Sequence, residues 1–199
     1  MSAYQRFLDF FSMHNKERLD GLSDFYFSEM TPEEKGMAFS YLLQMVEGGG
    51  TEESVNGLFM ADAHRAIPIV EELLKSNRLR EDAEVAAAWN LYRLKGDAAL
   101  LAIFIRLMSS ANKRIRAKVA YYVPANLLTT ELLVALRGMI RTETDNMALI
   151  NAVNKLLECY GITRASVTKD EFSELYRGLR NEDGKIKEAT FRKLEMRAS

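Results

Sequence analysis

Val85-Ala86-Ala87-Ala88-Trp89-Asn90-Leu91, Lys118-Val119-Ala120-Tyr121-Tyr122-Val123-Pro124 and Asn151-Ala152-Val153-Asn154-Lys155-Leu156-Leu157 align as versions of one segment, their starts 33 residues apart. Each follows a more apolar stretch: Ile69-Val70-Glu71-Glu72-Leu73-Leu74, Ile103-Phe104-Ile105-Arg106-Leu107-Met108 and Val134-Ala135-Leu136-Arg137-Gly138-Met139-Ile140. Self-similarity at a fixed period of this size marks stacked supersecondary units. A helix pair has an apolar face that it cannot bury alone, so neighbouring pairs stack, and the expected fold is a short right-handed α-solenoid.

Within this register Asn112-Lys113-Arg114-Ile115-Arg116-Ala117-Lys118-Val119-Ala120 carries a hydrophobic-Arg pair followed by small and apolar residues. It is similar to the turn and second-helix opening of HEAT repeats, so residues 65–162 resemble HEAT-type helical repeats. Two departures are visible: the period is shorter than the ~40 residues usual there, and the other two repeats lack the hydrophobic-Arg pair. Tetratricopeptide repeats share the shorter period, but their Trp, Gly and Tyr spacing is missing around Trp89, and the ankyrin Thr-Pro-Leu-His string is absent. The resemblance implies an all-α chain of HEAT-like helix pairs with extra N- and C-terminal helices.

Outward from the repeats, the chain reads as helix in both directions. Residues 3–13 offer Phe7, Leu8, Phe10 and Phe11 for burial, and a second helix is expected through Leu19, Leu22, Phe25, Tyr26 and Phe27. Thr31-Pro32-Glu33-Glu34 is a capping box with proline at the first helical position, starting a helix that runs to about Glu47. Gly48-Gly49-Gly50 ends it, and Thr51-Glu52-Glu53 starts a shorter helix through Leu58 and Phe59. On the far side Thr168-Lys169-Asp170-Glu171 is another capping box, opening a helix through Phe172, Leu175, Tyr176 and Leu179. Asn181-Glu182-Asp183-Gly184 then turns the chain into a last helix carrying Ile186, Phe191 and Leu194, with Lys187 and Arg192 outside.

The whole composition agrees with this pattern. The 199 residues are 48% hydrophobic and 28% charged, with only 11 Gly and 3 Pro to interrupt runs of helix formers. At about 150 residues per domain the expectation is one all-helical domain over 1–199. It comprises acidic helices at 1–62, the repeats at 65–162 and a helical cap at 166–199. No run approaches the roughly 18 apolar residues of a membrane span, and Arg6 and Asp9 interrupt the place a signal peptide would keep apolar. With a single cysteine, Cys159, no internal disulfide forms, and the cytoplasm is the expected compartment.

Catalytic and metal chemistry find few candidates. There are two histidines, His14 and His64, and neither His-x-x-x-His, Glu-x-x-His nor a cysteine-rich spacing occurs, so no metal or cofactor is expected. Cys159 follows Leu156-Leu157 on an apolar helix face and reads as a structural thiol, although a Cys159–His64 pair is conceivable. His64 stands just before a helix, where Asp62 or a backbone carbonyl would pair with it. The triple glycine lacks the preceding strand and following Lys-Ser/Thr of a phosphate loop. A calcium loop around Gly184 would put Leu179 and Thr190 where carboxylates belong, and fails on both. The paired acids Glu33-Glu34, Glu52-Glu53 and Glu71-Glu72 serve helix dipoles.

What remains is a surface. In a right-handed solenoid the second helices line the concave side, which collects Trp89, Tyr92, Arg114, Lys118, Tyr121, Tyr122, Asn151, Asn154 and Lys155. Trp, Tyr and Arg are the types enriched at binding hot spots. Trp89 lies in an apolar run and serves a core as readily as a contact, while one of Tyr121 and Tyr122 must face away from the core. Charge is divided along the chain: residues 1–76 hold 6 Lys+Arg against 13 Asp+Glu, residues 77–141 hold 11 against 5, and residues 142–199 hold 10 against 10. The expected function is a non-catalytic module binding one partner protein, such as a toxin or an enzyme. By size and style it resembles specific inhibitors and bacterial immunity proteins. The alternative is nucleic-acid binding, as in the HEAT-like DNA glycosylases, resting on the basic middle with Tyr121, Tyr122 and Trp89. Against it stand the acidic front and a pI of about 6.2.

Overall fold

The computed structural model describes residues 1–13 and 21–198; His14, Leu19 and the first part of the expected second helix lie outside the described residues. The protein is all-α, with eleven α-helices and no strand among the described residues. It divides into two compact units, Met1–Asp97 and Ala98–Ser199, with the boundary between the first and second aligned helix pairs.

The N-terminal unit contains α1 (Ala3–Ser12), the single turn α2 (Phe25–Ser28), α3 (Pro32–Glu47), α4 (Glu52–Lys75) and α5 (Glu81–Lys95). Leu22 precedes α2 without being helical. Phe7 and Phe10 of α1 are wholly buried. Phe7 packs edge-on against Tyr41 of α3 at 5.8 Å and tilted against Phe27 of α2 at 5.5 Å, so aromatic contacts tie the first three helices together. The box that opens α3 is complete: Glu34 N–H donates to Thr31 Oγ1 at 3.2 Å, and Thr31 N–H donates to Glu34 Oε2 at 3.0 Å. At the other end Gly49 and Gly50 have φ of +105° and +66°, a left-handed turn that side chains disfavour. The turn also joins α3 to α5, because Arg80 N–H donates to Gly49 O at 2.9 Å.

Helix α4 covers both of the helices expected on either side of His64. It runs through the region with a kink at Asp62, whose backbone is extended and whose Oδ1 accepts from Arg65 N–H at 3.1 Å. Asp62 thus caps a second helical segment, and His64 lies in that segment's first turn, exposed. Helix α4 packs on α3 and α5. The α5 face is built from small residues, Ala83, Ala86, Ala87 and Ala88 all being buried, which lets helix axes approach closely.

The C-terminal unit follows a single 3-10 turn and contains α6 (Leu101–Leu107), α7 (Lys113–Tyr122), α8 (Thr130–Thr142), α9 (Asn146–Cys159), α10 (Lys169–Leu179) and α11 (Gly184–Ala198). Within this unit α6 packs on α7 and α8 packs on α9, and alternate helices also meet, α6 with α8 and α7 with α9. First helices therefore contact first helices, and second helices contact second helices. The register is visible in one bond: Asn151 Nδ2 of α9 donates to Ala117 O of α7 at 2.9 Å, across 34 residues. The N-terminal unit has a bond of the same separation, Asn90 Nδ2 to Asn56 Oδ1 at 2.7 Å.

Helices α10 and α11 pack together, and α10 also touches α9. At Gly178 the approach leaves no room for a side chain: a Cβ there would stand 2.3 Å from Oγ1 of the buried Thr190. At the start of α10 only half of the expected box forms. Glu171 N–H donates to Thr168 Oγ1 at 3.3 Å, while the Glu171 carboxylate pairs with Arg197 of α11. Lys187 is half-buried and not an outer residue, because its Nζ donates to Ile140 O at the end of α8 at 2.9 Å; Arg192 is exposed.

Candidate functional site

Asn112 opens α7 by accepting Arg114 N–H on its side chain at 3.0 Å. Ile115, Val119 and Ala120 then enter the core, which turns Arg114, Lys118 and Tyr121, spaced four and three residues apart, onto one outer face. Tyr121 is 64% exposed. Tyr122 is half-buried and meets Tyr121 edge-on at 5.1 Å, so the two rings hold each other. On α9, capped by Asp145 at Met147 N–H and Ala148 N–H, Asn151 abuts α7 through its bond to Ala117. Asn154 is exposed, and Lys155 is paired with Glu158 at 2.8 Å. These α7 and α9 residues lie on helices that touch. Trp89 and Tyr92 sit on α5 in the other unit, both half-buried, with Arg93 over the Trp89 ring at 5.8 Å.

The basic opening of α7 is less cationic than its sequence. Lys113 Nζ lies 3.4 Å from Asp145 Oδ2. Arg116 forms a two-pronged pair with Glu143, Nε to Oε2 at 2.6 Å and Nη2 to Oε1 at 2.8 Å, and its Nη1 donates to Ser110 O at 2.8 Å. The Glu143 side chain is 2% exposed and also accepts from the amides of Thr144 and Asp145. The hydrogen bond from Arg116 holds the Glu143 carboxyl below the ordinary carboxylate value, against the opposing effect of burial, and Arg116 is raised in return. The hydrophobic-Arg pair is therefore a brace: Ile115 fills the core, and Arg116 ties the loop before α7 to the loop before α9.

The chemical candidates belong to different units. Cys159 is buried in the C-terminal unit, and burial pushes its thiol up to about 11, which keeps it protonated at neutral pH. His64 belongs to the N-terminal unit. Among the described residues no group of three or more His, Cys, Asp or Glu is placed to hold a metal ion, and no helix is long and apolar enough to cross a membrane.

Sequence reasoning missed a cleft of about 520 Å³ along α10, lined by Arg164, Lys169, Phe172, Ser173, Tyr176 and Arg177. A local signal did exist, since Phe172, Tyr176 and Arg180 recur every four residues and so share a helix face. It was hidden by the neutral charge count of residues 142–199.

The described geometry defines a class: an all-helical protein of two compact units. Comparison with known proteins finds no matching family model, curated protein or solved structure.

Proposed function

We propose that the chain is a non-catalytic protein-binding module, a short HEAT-like α-solenoid that clasps one partner protein. We place it among cytoplasmic inhibitors and immunity-type proteins that neutralise a toxin or an enzyme. The observation that carries the reading is the α7 face: a 64% exposed tyrosine braced by a second ring, with Arg114 and Lys118 in line, on a helix fixed against α9. A pre-positioned aromatic side chain loses little conformational entropy on binding, which suits it to a hot spot. The nucleic-acid alternative has less support, because Lys113 and Arg116 are held by Asp145 and Glu143 and would have to leave them to reach phosphates.

The test uses tagged protein to recover its partner from its own cell lysate, beside the variant Tyr121→Ala with Lys118→Glu. The expected result is one stoichiometric protein retained by the wild type through a high-salt wash. The folded variant should bind it more weakly by more than about 2 kcal/mol. Salt-released nucleic acid without a protein, or equal affinity in the folded variant, overturns the reading.

A further inference from the structure

We infer that the cleft along α10 binds an acidic segment of a partner polypeptide that carries apolar side chains between its carboxylates. Three cations line the cleft, Arg164, Lys169 and Arg177, and Arg180 stands one turn beyond Tyr176. None of the four is in an ion pair with a described carboxylate. Arg164 lies over the Phe172 ring at 5.5 Å, Phe172 stacks on Tyr176 at 6.0 Å and 17°, and Arg180 lies over the Tyr176 ring at 5.3 Å. Arg180 has further support from Asn146 Oδ1 at 2.8 Å, yet its Nε is buried without a hydrogen-bond partner.

Four of the acids that could have neutralised this group are engaged elsewhere, and Asp170, Glu182 and Asp183 are exposed outside the cleft lining. Glu171 pairs with Arg197, Glu174 with Lys193, Glu188 with Arg141 and Glu195 with Arg137. A segment with equal numbers of acids and bases thus keeps its spare positive charge beside its half-buried aromatic rings. Carboxylates answer the guanidinium and ammonium groups, and an apolar side chain answers the ring edges left beside the Arg164–Phe172–Tyr176–Arg180 stack. Nucleic acid fits less well. The ring faces on which bases would stack already carry guanidinium groups and each other, and the cleft has room for a few side chains and not for a duplex.

The inference rests on the reading of the chain as a binding module, and its test is independent of any cellular partner. The full-length protein is titrated into a short fluorescein-labelled peptide alternating Glu and Trp, with fluorescence anisotropy as the readout. A Gln-Trp peptide, oligothymidylate and inorganic phosphate serve as competing probes. The Glu-Trp peptide should bind, weaken as salt rises, and outcompete the other three. Arg164→Glu with Lys169→Glu should lower its affinity at least about tenfold, and Arg177→Gln should lower it less. Glutamate at position 169 suits the N-terminus of α10, so circular dichroism should show that variant folded. Lys185→Glu, an exposed charge outside the cleft, should bind as the wild type does. No binding of the Glu-Trp peptide, an equal loss in Lys185→Glu, or tighter binding of oligothymidylate or phosphate overturns the inference. None of these outcomes bears on whether Tyr121 holds a partner from the lysate, so the two readings fail separately.

Discussion

The opening of α7 and the surroundings of α10 look opposite in sequence and exchange roles in the fold. Residues 113–118 hold four cations and no acid, yet Lys113 is paired with Asp145, and Arg116 is clamped to Glu143. Around α10 acids and bases are balanced, yet among the described residues Arg164, Lys169, Arg177 and Arg180 have no carboxylate in an ion pair and stand beside stacked rings. The difference teaches that a run of charge is a poor guide to a charged surface. Ion pairs form between loops and helices that the fold brings together, and what is left over afterwards is what a partner meets.

The strongest way to break this comparison is to remove the brace. Arg116→Ala leaves Glu143 almost buried with only two backbone amides, and urea denaturation should show a loss of about 3 kcal/mol. A loss no larger than that of an exposed arginine would mean that the α7 opening is free surface after all. Acid offers a finer test. Glu143 has a lower pKa folded than unfolded, so its contribution is complete above the ordinary glutamate value of ~4.3 and disappears as pH falls towards the folded value. The stability advantage of wild type over Glu143→Gln should therefore shrink as pH drops below ~4. A constant gap would remove the ionised pair from the account. The smallest effect belongs to the α10–α11 surface, where Lys193 and Glu174 pair with side chains 59% and 66% exposed. Lys193→Ala should move the melting temperature by no more than about 1 °C. A larger shift would show that these pairs hold the hairpin together as well as drawing acids away from the cleft.

Much of the local structure is legible residue by residue. Thr31, Thr51 and Thr168 each cap a helix start, because a hydroxyl preceded by a turn can reach the free amide three residues on. Thr51 completes its box with Ser54 in place of a glutamate, through Thr51 N–H to Ser54 Oγ at 2.8 Å. The break before the helix that begins near Arg65 was legible, but not that Asp62 caps it with no loop between, because an aspartate in a continuous helical run looks like an ordinary polar position. The α7 face was readable in part from periodicity, which puts Ile115 and Val119 inside. Whether Tyr121 or Tyr122 would be the exposed ring was not readable, since adjacent residues on a helix differ by about 100° and either could face the core. The α10 cleft was illegible because its character depends on partners of other residues: Glu174 and Lys193 are 19 positions apart, Arg141 and Glu188 are 47, and Arg137 and Glu195 are 58.

From the sequence came the all-helical class, most of the helix starts and stops, and most of the apolar positions that fill the core. Those depend on propensities, caps and periodicities that act within a turn or two of the chain. Only the tertiary structure decided which cations are neutralised, which ring is exposed and where a cleft opens. These depend on distances between residues far apart in the chain, and electrostatic attraction and packing act through space.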